Sequence, residues 1–165
     1  MAYYSEIKLY KEDLIVQTLK DRSHLKLVNV LLIVITIIQI IIGTQVRQQI
    51  DVLSLTLGFD GRAQWIENLD YYFKIHRTFS ILVFLIHVYF FYRMYKATSA
   101  VVLKWANIAL IGLVGVEMVG GFIMGNFNIP AFVQPIHMLA ATVLLGVQFF
   151  ILFVFNLNKN QILLR

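Results

Sequence analysis

The sequence predicts an all-α integral membrane protein, an up-down-up-down bundle of four transmembrane helices with both termini in the cytoplasm. The first indication is composition: 59% of the 165 residues are hydrophobic and only 14% are charged, which is far more apolar than a soluble domain of this length. The second is the presence of four long, nearly uncharged runs. The third is the unequal distribution of Lys and Arg between the connections on the two sides.

Each apolar run can cross the hydrocarbon core of a bilayer, which is about 30 Å thick. The predicted helices span about residues 27–47, 74–96, 101–124 and 131–157. The second run is short, and it reaches both interfaces because Arg77 and Arg93 extend toward water. Together the helices form a transmembrane domain over residues 27–157. Residues 1–26 are predicted to be a cytoplasmic N-terminal segment and residues 158–165 a cytoplasmic tail.

The positive charges predict the orientation. Ten Lys and Arg residues fall on one side of the predicted helices: Lys8, Lys11, Lys20, Arg22, Lys26, Arg93, Lys96, Lys104, Lys159 and Arg165. The other side has only Arg47, Arg62, Lys74 and Arg77. Because positively charged loops stay in the cytoplasm, both termini are expected there. The net charge of +5 is therefore explained by topology, with membrane lipid as a partner and no nucleic acid.

The connections predict how the helices pair. Residues 47–73 form the longest connection, on the outer side, and are interpreted as a lid on the membrane surface. The links near residues 97–99 and 125–130 are short, so consecutive helices are expected to be antiparallel neighbours. The chain also resembles two hairpins of one design. Gln39 precedes Gly43 by four residues as Glu117 precedes Gly121, and the second and fourth helices each have a histidine near their outer ends.

Those two histidines, His76 and His137, are the main candidates for chemistry. Both are expected about 8 to 10 Å below the outer surface, on helices that lie diagonally opposite each other in an up-down bundle. This arrangement suits a haem whose iron has one imidazole on each face. Zinc would need further ligands, and the sequence has no cysteine. The alternative is a pair of hydrogen-bonded core histidines, but ionisable groups in membrane spans are costly and usually functional.

Two further residues, Arg77 and Glu117, have two interpretations each. Arg77 is predicted to bind the haem propionates, or else to extend to the interface as an ordinary helix-end arginine. Glu117, the only acidic residue inside a predicted span, is interpreted as a catalytic proton relay or as a hydrogen-bond partner of Gln39.

His87 faces the same interior as His76 but lies about 16 Å deeper. Gln148 occupies the matching position on the fourth helix. His87 is therefore expected to hydrogen-bond Gln148, to bind a second haem with a weak or external ligand, or to act across a subunit boundary. The first is favoured because two polar groups in lipid should pair, and the second keeps His87 among the predicted cofactor-binding residues.

Several short motifs resemble the haem A synthase family of membrane oxygenases. They are the tract QIIIGTQVR at residues 39–47, the pair His76–Arg77, and His137 followed by Ala140 and Ala141. The resemblance covers about residues 30–155. It implies oxidation of a methyl group of haem O to the formyl group of haem A, with a bound haem b as electron relay. The family's usual protein is an eight-helix duplication, and this chain is similar to one half.

Two departures from the family pattern concern catalysis. Phe73 stands where the catalytic half has an essential glutamate, and the cysteine pair of many members is missing. The resemblance is therefore to the half that binds haem b. It implies that catalysis needs a homo-oligomer and a different acid, for which Glu117 is the candidate.

The sequence thus predicts a membrane haem-binding oxidoreductase, in a membrane of the bacterial inner type, with quinol or another membrane electron donor. Two alternatives are a b-type cytochrome that only carries electrons and an assembly subunit without a cofactor. Motifs of soluble enzymes, such as a nucleotide-binding glycine loop, are missing from the sequence.

Overall fold

The computed structural model describes residues 22–98 and 100–156, and four long helices make up most of them. They are α1 (Arg22–Leu57), α2 (Tyr71–Ala97), α3 (Val101–Asn126) and α4 (Val133–Asn156), with a short 3₁₀ turn at Arg62–Gln64. All four are long and apolar enough to cross a membrane. Within the described residues, this confirms the all-helical class and the predicted number of spans. The predicted tail at 158–165 and most of the N-terminal segment lie outside the described residues.

Hydrogen bonds between helices define how they pack. The Arg22 side chain at the start of α1 donates to the Phe155 carbonyl at the end of α4, with Nη2 at 2.6 Å. Asn107 Nδ2 of α3 donates to the Phe91 carbonyl of α2 at 3.0 Å. Helices α1 and α3 each pack mainly against α2 and α4. Helices α2 and α4 are therefore diagonal, and neighbouring helices run antiparallel. The side of the membrane on which the termini lie stays a prediction.

Helix α1 extends well beyond its predicted end near residue 47. Val46, Ile50 and Leu53 repeat at helical spacing and pack against an apolar cluster that the sequence alone did not reveal. Arg47 Nη2 and Asp51 Oδ1, one turn apart, form an ion pair at 2.7 Å. The helix ends at Leu57, followed by Gly58 with a φ of 66°, which is the usual glycine position after a helix. Half of the connection predicted as a lid is thus helix.

The rest of that connection forms an apolar cap over one end of the bundle. We call this end the loop end, because it has the α1–α2 and α3–α4 connections. Trp65 is the centre of the cap and is only 2% exposed, in a cluster with Val46, Ile50, Leu69 and Ile129. Asp70 then starts α2 by accepting a hydrogen bond from the Tyr72 backbone N–H at 2.8 Å.

Trp65→Ala should destabilise the cap. Truncation of a buried tryptophan leaves a cavity and typically lowers the free energy of unfolding by about 3–5 kcal/mol. Thermal unfolding of the purified protein in detergent measures the loss. Leu55→Ala is the matched control, because Leu55 is 87% exposed on the same connection. Equal unfolding temperatures for the two variants would contradict a structural role for the cap.

Candidate functional site

A cavity of about 330 Å³ lies at the loop end of the bundle, and residues from all four helices line it. The volume is near the lower limit of ligand pockets, which span about 300–1,000 Å³. Most of the lining is apolar. The lining shares three residues with the Trp65 cluster: Ile50, Leu69 and Ile129. The cap therefore covers the cavity on the side of the connections.

His76 and His137 both line this cavity. They come from the diagonal helices α2 and α4. Eleven residues further along these two parallel helices, His87 and Gln148 contact each other. His76 and His137 therefore lie at the same level of the bundle. Each Nδ1 is buried and lacks a hydrogen-bond partner. The structure therefore brings the two predicted ligands together, with unused nitrogen atoms.

A glycine lies against each imidazole. A Cβ atom built on Gly43 of α1 would lie 3.0 Å from His76 Cε1, and one built on Gly120 of α3 would lie 3.1 Å from His137 Nδ1. Contacts this short would require each ring to shift by a few tenths of an ångström, so glycine at these positions leaves space for the imidazoles.

Glu117 and Gln39 lie beside the two histidines in different ways. Glu117 Oε2 is 3.0 Å from His137 Nδ1, and Oε1 is buried without a hydrogen-bond partner. Gln39 Nε2 donates to the backbone carbonyl of His76 at 3.0 Å. The Glu117–Gln39 hydrogen bond, one of the two alternatives for Glu117, is therefore not the arrangement in the structure.

Arg77 lies outside the cavity lining and is exposed. Among the described residues, the Lys or Arg side chain that lines the cavity is Arg47. Gln134 also lines it, and Nε2 of Gln134 is a buried donor without a hydrogen-bond partner. The sequence did not predict that these two side chains line the cavity. Arg47 could have been found, because it is four residues after Gly43 and so shares a helix face with it. Gln134 gave no signal, since its position depends on the start of α4.

His87 is separate from the cavity and fully buried. Its Nε2 is 2.9 Å from Gln148 Nε2, and its Nδ1 is 2.8 Å from the Val83 carbonyl. Gln148 Nε2 also donates to Thr36 Oγ1 at 2.9 Å, while Asn29 donates to the Gln148 carbonyl at 3.0 Å. Of the three arrangements considered for His87, the structure has the pair with Gln148. Both ring nitrogens are engaged, so this side chain has no nitrogen left for a metal.

Gln148→Leu should destabilise the bundle, because it leaves the polar groups of Thr36 and His87 buried without their partner. Such a loss typically costs about 1–3 kcal/mol. The unfolding temperature in detergent is the measurement, with Gln48→Leu on the exposed surface of α1 as the control. Equal stability of Gln148→Leu and the parent protein would show that the network contributes nothing.

Comparison with known proteins identifies the family. No curated protein and no solved structure gives a significant match to the chain. The sequence model of the COX15-CtaA family, described as a cytochrome oxidase assembly protein, matches residues 2–149. This match covers nearly the whole chain and confirms the resemblance drawn from the motifs around Gly43, His76 and His137. The chain is a multi-pass integral membrane protein that belongs to the COX15-CtaA family, whose function is cytochrome oxidase assembly through haem A biosynthesis.

Proposed function

We propose that the chain binds haem in the cavity at the loop end, where His76 and His137 would hold the iron. We further propose that it takes part in oxidising a methyl group of haem O to a formyl group, with dioxygen as the oxidant and water as the other product. The observation that supports this is one cavity lined by two half-buried imidazoles from diagonal helices. Family membership supports the biosynthetic role.

The side chains fit haem better than an isolated metal ion. Imidazole nitrogen is a ligand that iron accepts, and haem needs only two such ligands from the protein. Among the described residues, no group of three His, Cys, Asp or Glu side chains could hold a metal ion alone. The apolar lining suits a flat macrocycle, and Gly43 and Gly120 give the two rings space. When bound, haem supplies the electron-accepting iron centre.

The residues of the chain have distinct roles in this proposal. His76 and His137 bind the iron, and the apolar cap around Trp65 excludes water from the cavity. Arg47 and Gln134 are the donors for the carboxylates of a haem, because both line the cavity and guanidinium groups bind carboxylates in a bidentate manner. We assign this role to Arg47 rather than Arg77, which lies outside the lining. Among the described residues, Glu117 is the only acidic side chain that lines the cavity.

Single replacement of His76 or His137 by alanine should remove an axial ligand. The visible absorbance of the purified protein should lose the sharp bands of six-coordinate low-spin haem. His87→Leu is the matched control, because His87 is a histidine of the same helix as His76 but lies outside the cavity and has partners of its own. The spectrum of this variant should stay as in the parent protein. Unchanged spectra for both alanine variants would contradict the assignment.

The reaction has its own test. The parent protein, loaded with haem b, is expressed together with a source of haem O, and the extracted pigments are separated by chromatography. Hydroxylated or formyl haem is the expected product. Haem B alone would support a b-type cytochrome that carries electrons, and it would contradict the oxidation while leaving the binding site intact.

Gly43→Ala and Gly120→Ala should lower the haem content, because the added methyl groups crowd His76 and His137. Haem per protein, measured from absorbance after extraction, should fall in both variants. Gly112→Ala is the control, since a Cβ at Gly112 meets no atom within 4 Å. If all three variants retain full haem content, the imidazoles do not need the space that the two glycines leave.

A further inference from the structure

We propose that Glu117 is a positioning residue for His137. Its carboxyl group accepts a hydrogen bond from Nδ1–H of the imidazole and thereby leaves Nε2 for the haem iron. The two histidines would then hold the iron unequally, because no carboxyl group is paired with the ring of His76 in the described residues. This inference rests on the proposed haem binding and adds a role that is separate from proton transfer to a substrate.

The contact itself is the first evidence. Oε2 of Glu117 is 3.0 Å from Nδ1 of His137, and the two side chains are only 17% and 19% exposed. They come from neighbouring helices, α3 and α4. The ring is turned so that its N–H is not aligned with Oε2, and Nδ1 is accordingly without a hydrogen-bond partner. Such bonds are often poorly aligned in an empty site and tighten when the ligand binds.

The chemistry of imidazole gives the second step. A neutral imidazole has one N–H donor and one nitrogen that accepts a hydrogen bond or a metal. A carboxyl oxygen beside Nδ1 favours the N–H at that atom, so Nε2 has the free lone pair. Histidine ligands of metals usually donate their second N–H to such an acceptor, which fixes the ring and makes it a stronger ligand. Glu117 is the side chain that the structure places there for His137.

The other hairpin shows the contrast. Gln39 occupies the place of Glu117 in the internal repeat, four residues before its glycine. However, it donates to the backbone carbonyl of His76 and leaves the ring alone. Nδ1 of His76 has no hydrogen-bond partner, and among the described residues no carboxyl group is paired with its ring. The repeat therefore supplies two histidines with different neighbours, and His137 is the stronger donor to iron.

Three variants test the inference: Glu117→Gln, Glu117→Ala and Gln39→Ala. The readouts are haem content, the low-spin electron paramagnetic resonance (EPR) spectrum of the ferric protein, and the midpoint potential from a redox titration. Glu117→Ala removes the acceptor, so haem affinity should fall by about 10- to 100-fold. The potential of the remaining bound haem should rise, because a weaker ligand stabilises the ferric state less. Glu117→Gln keeps an amide oxygen of the same size and should largely restore haem content.

Gln39→Ala is the matched control, and it should leave the potential and the EPR spectrum as in the parent protein. Unchanged potential and EPR spectrum in both Glu117 variants would overturn the inference. Loss of product formation in Glu117→Ala with an unchanged potential would also overturn it, in favour of a proton-relay role. Neither result would affect haem binding by the parent protein. A parent protein that takes up no haem would instead refute the proposed function.

Discussion

The fold depends on one constraint: polar side chains inside a membrane-spanning bundle must find partners within the protein, since lipid offers none. Away from the loop end this constraint is largely met. Asn29, Thr36, His87 and Gln148 are buried and joined by hydrogen bonds that link α1, α2 and α4, although Asn29 Oδ1 and Gln148 Oε1 have no partner. Both ring nitrogens of His87 are engaged there. At the loop end, Nδ1 of His76 has no hydrogen-bond partner, and Nδ1 of His137 has only the Glu117 carboxyl 3.0 Å away. The contrast separates a structural region from a region that is suited to a ligand.

The two halves of the chain have a similar design but a different chemical environment. Each provides a histidine near the loop end and a glycine on the preceding helix that makes room for the ring. They differ in the polar residue on the preceding helix, which is Gln39 in the first half and Glu117 in the second. Under the proposed haem binding, this difference would give the two histidines unequal surroundings. Self-association of the chain and a redox partner such as a quinol stay predictions.

Much of the fold could be predicted from the sequence because the solvent is lipid. Long uncharged runs mark the helices, and the depth of His76 and His137 follows from helical rise alone. The extension of α1 to Leu57 could not be predicted in this way, since it depends on packing against Trp65 from a distant part of the connection. The sequence points to Arg77 as the arginine of the site because it follows His76 directly. In the structure His76 lines the cavity, Arg77 lies outside the lining, and the arginine at the lining is Arg47.

The central claim is that a single haem is held between two imidazoles at the loop end. The EPR spectrum of the ferric parent protein, purified with its native pigment and quantified against protein, tests it most directly. The account predicts one low-spin signal of the bis-imidazole type, at about one haem per chain. A high-spin signal, or a protein without haem, would contradict it.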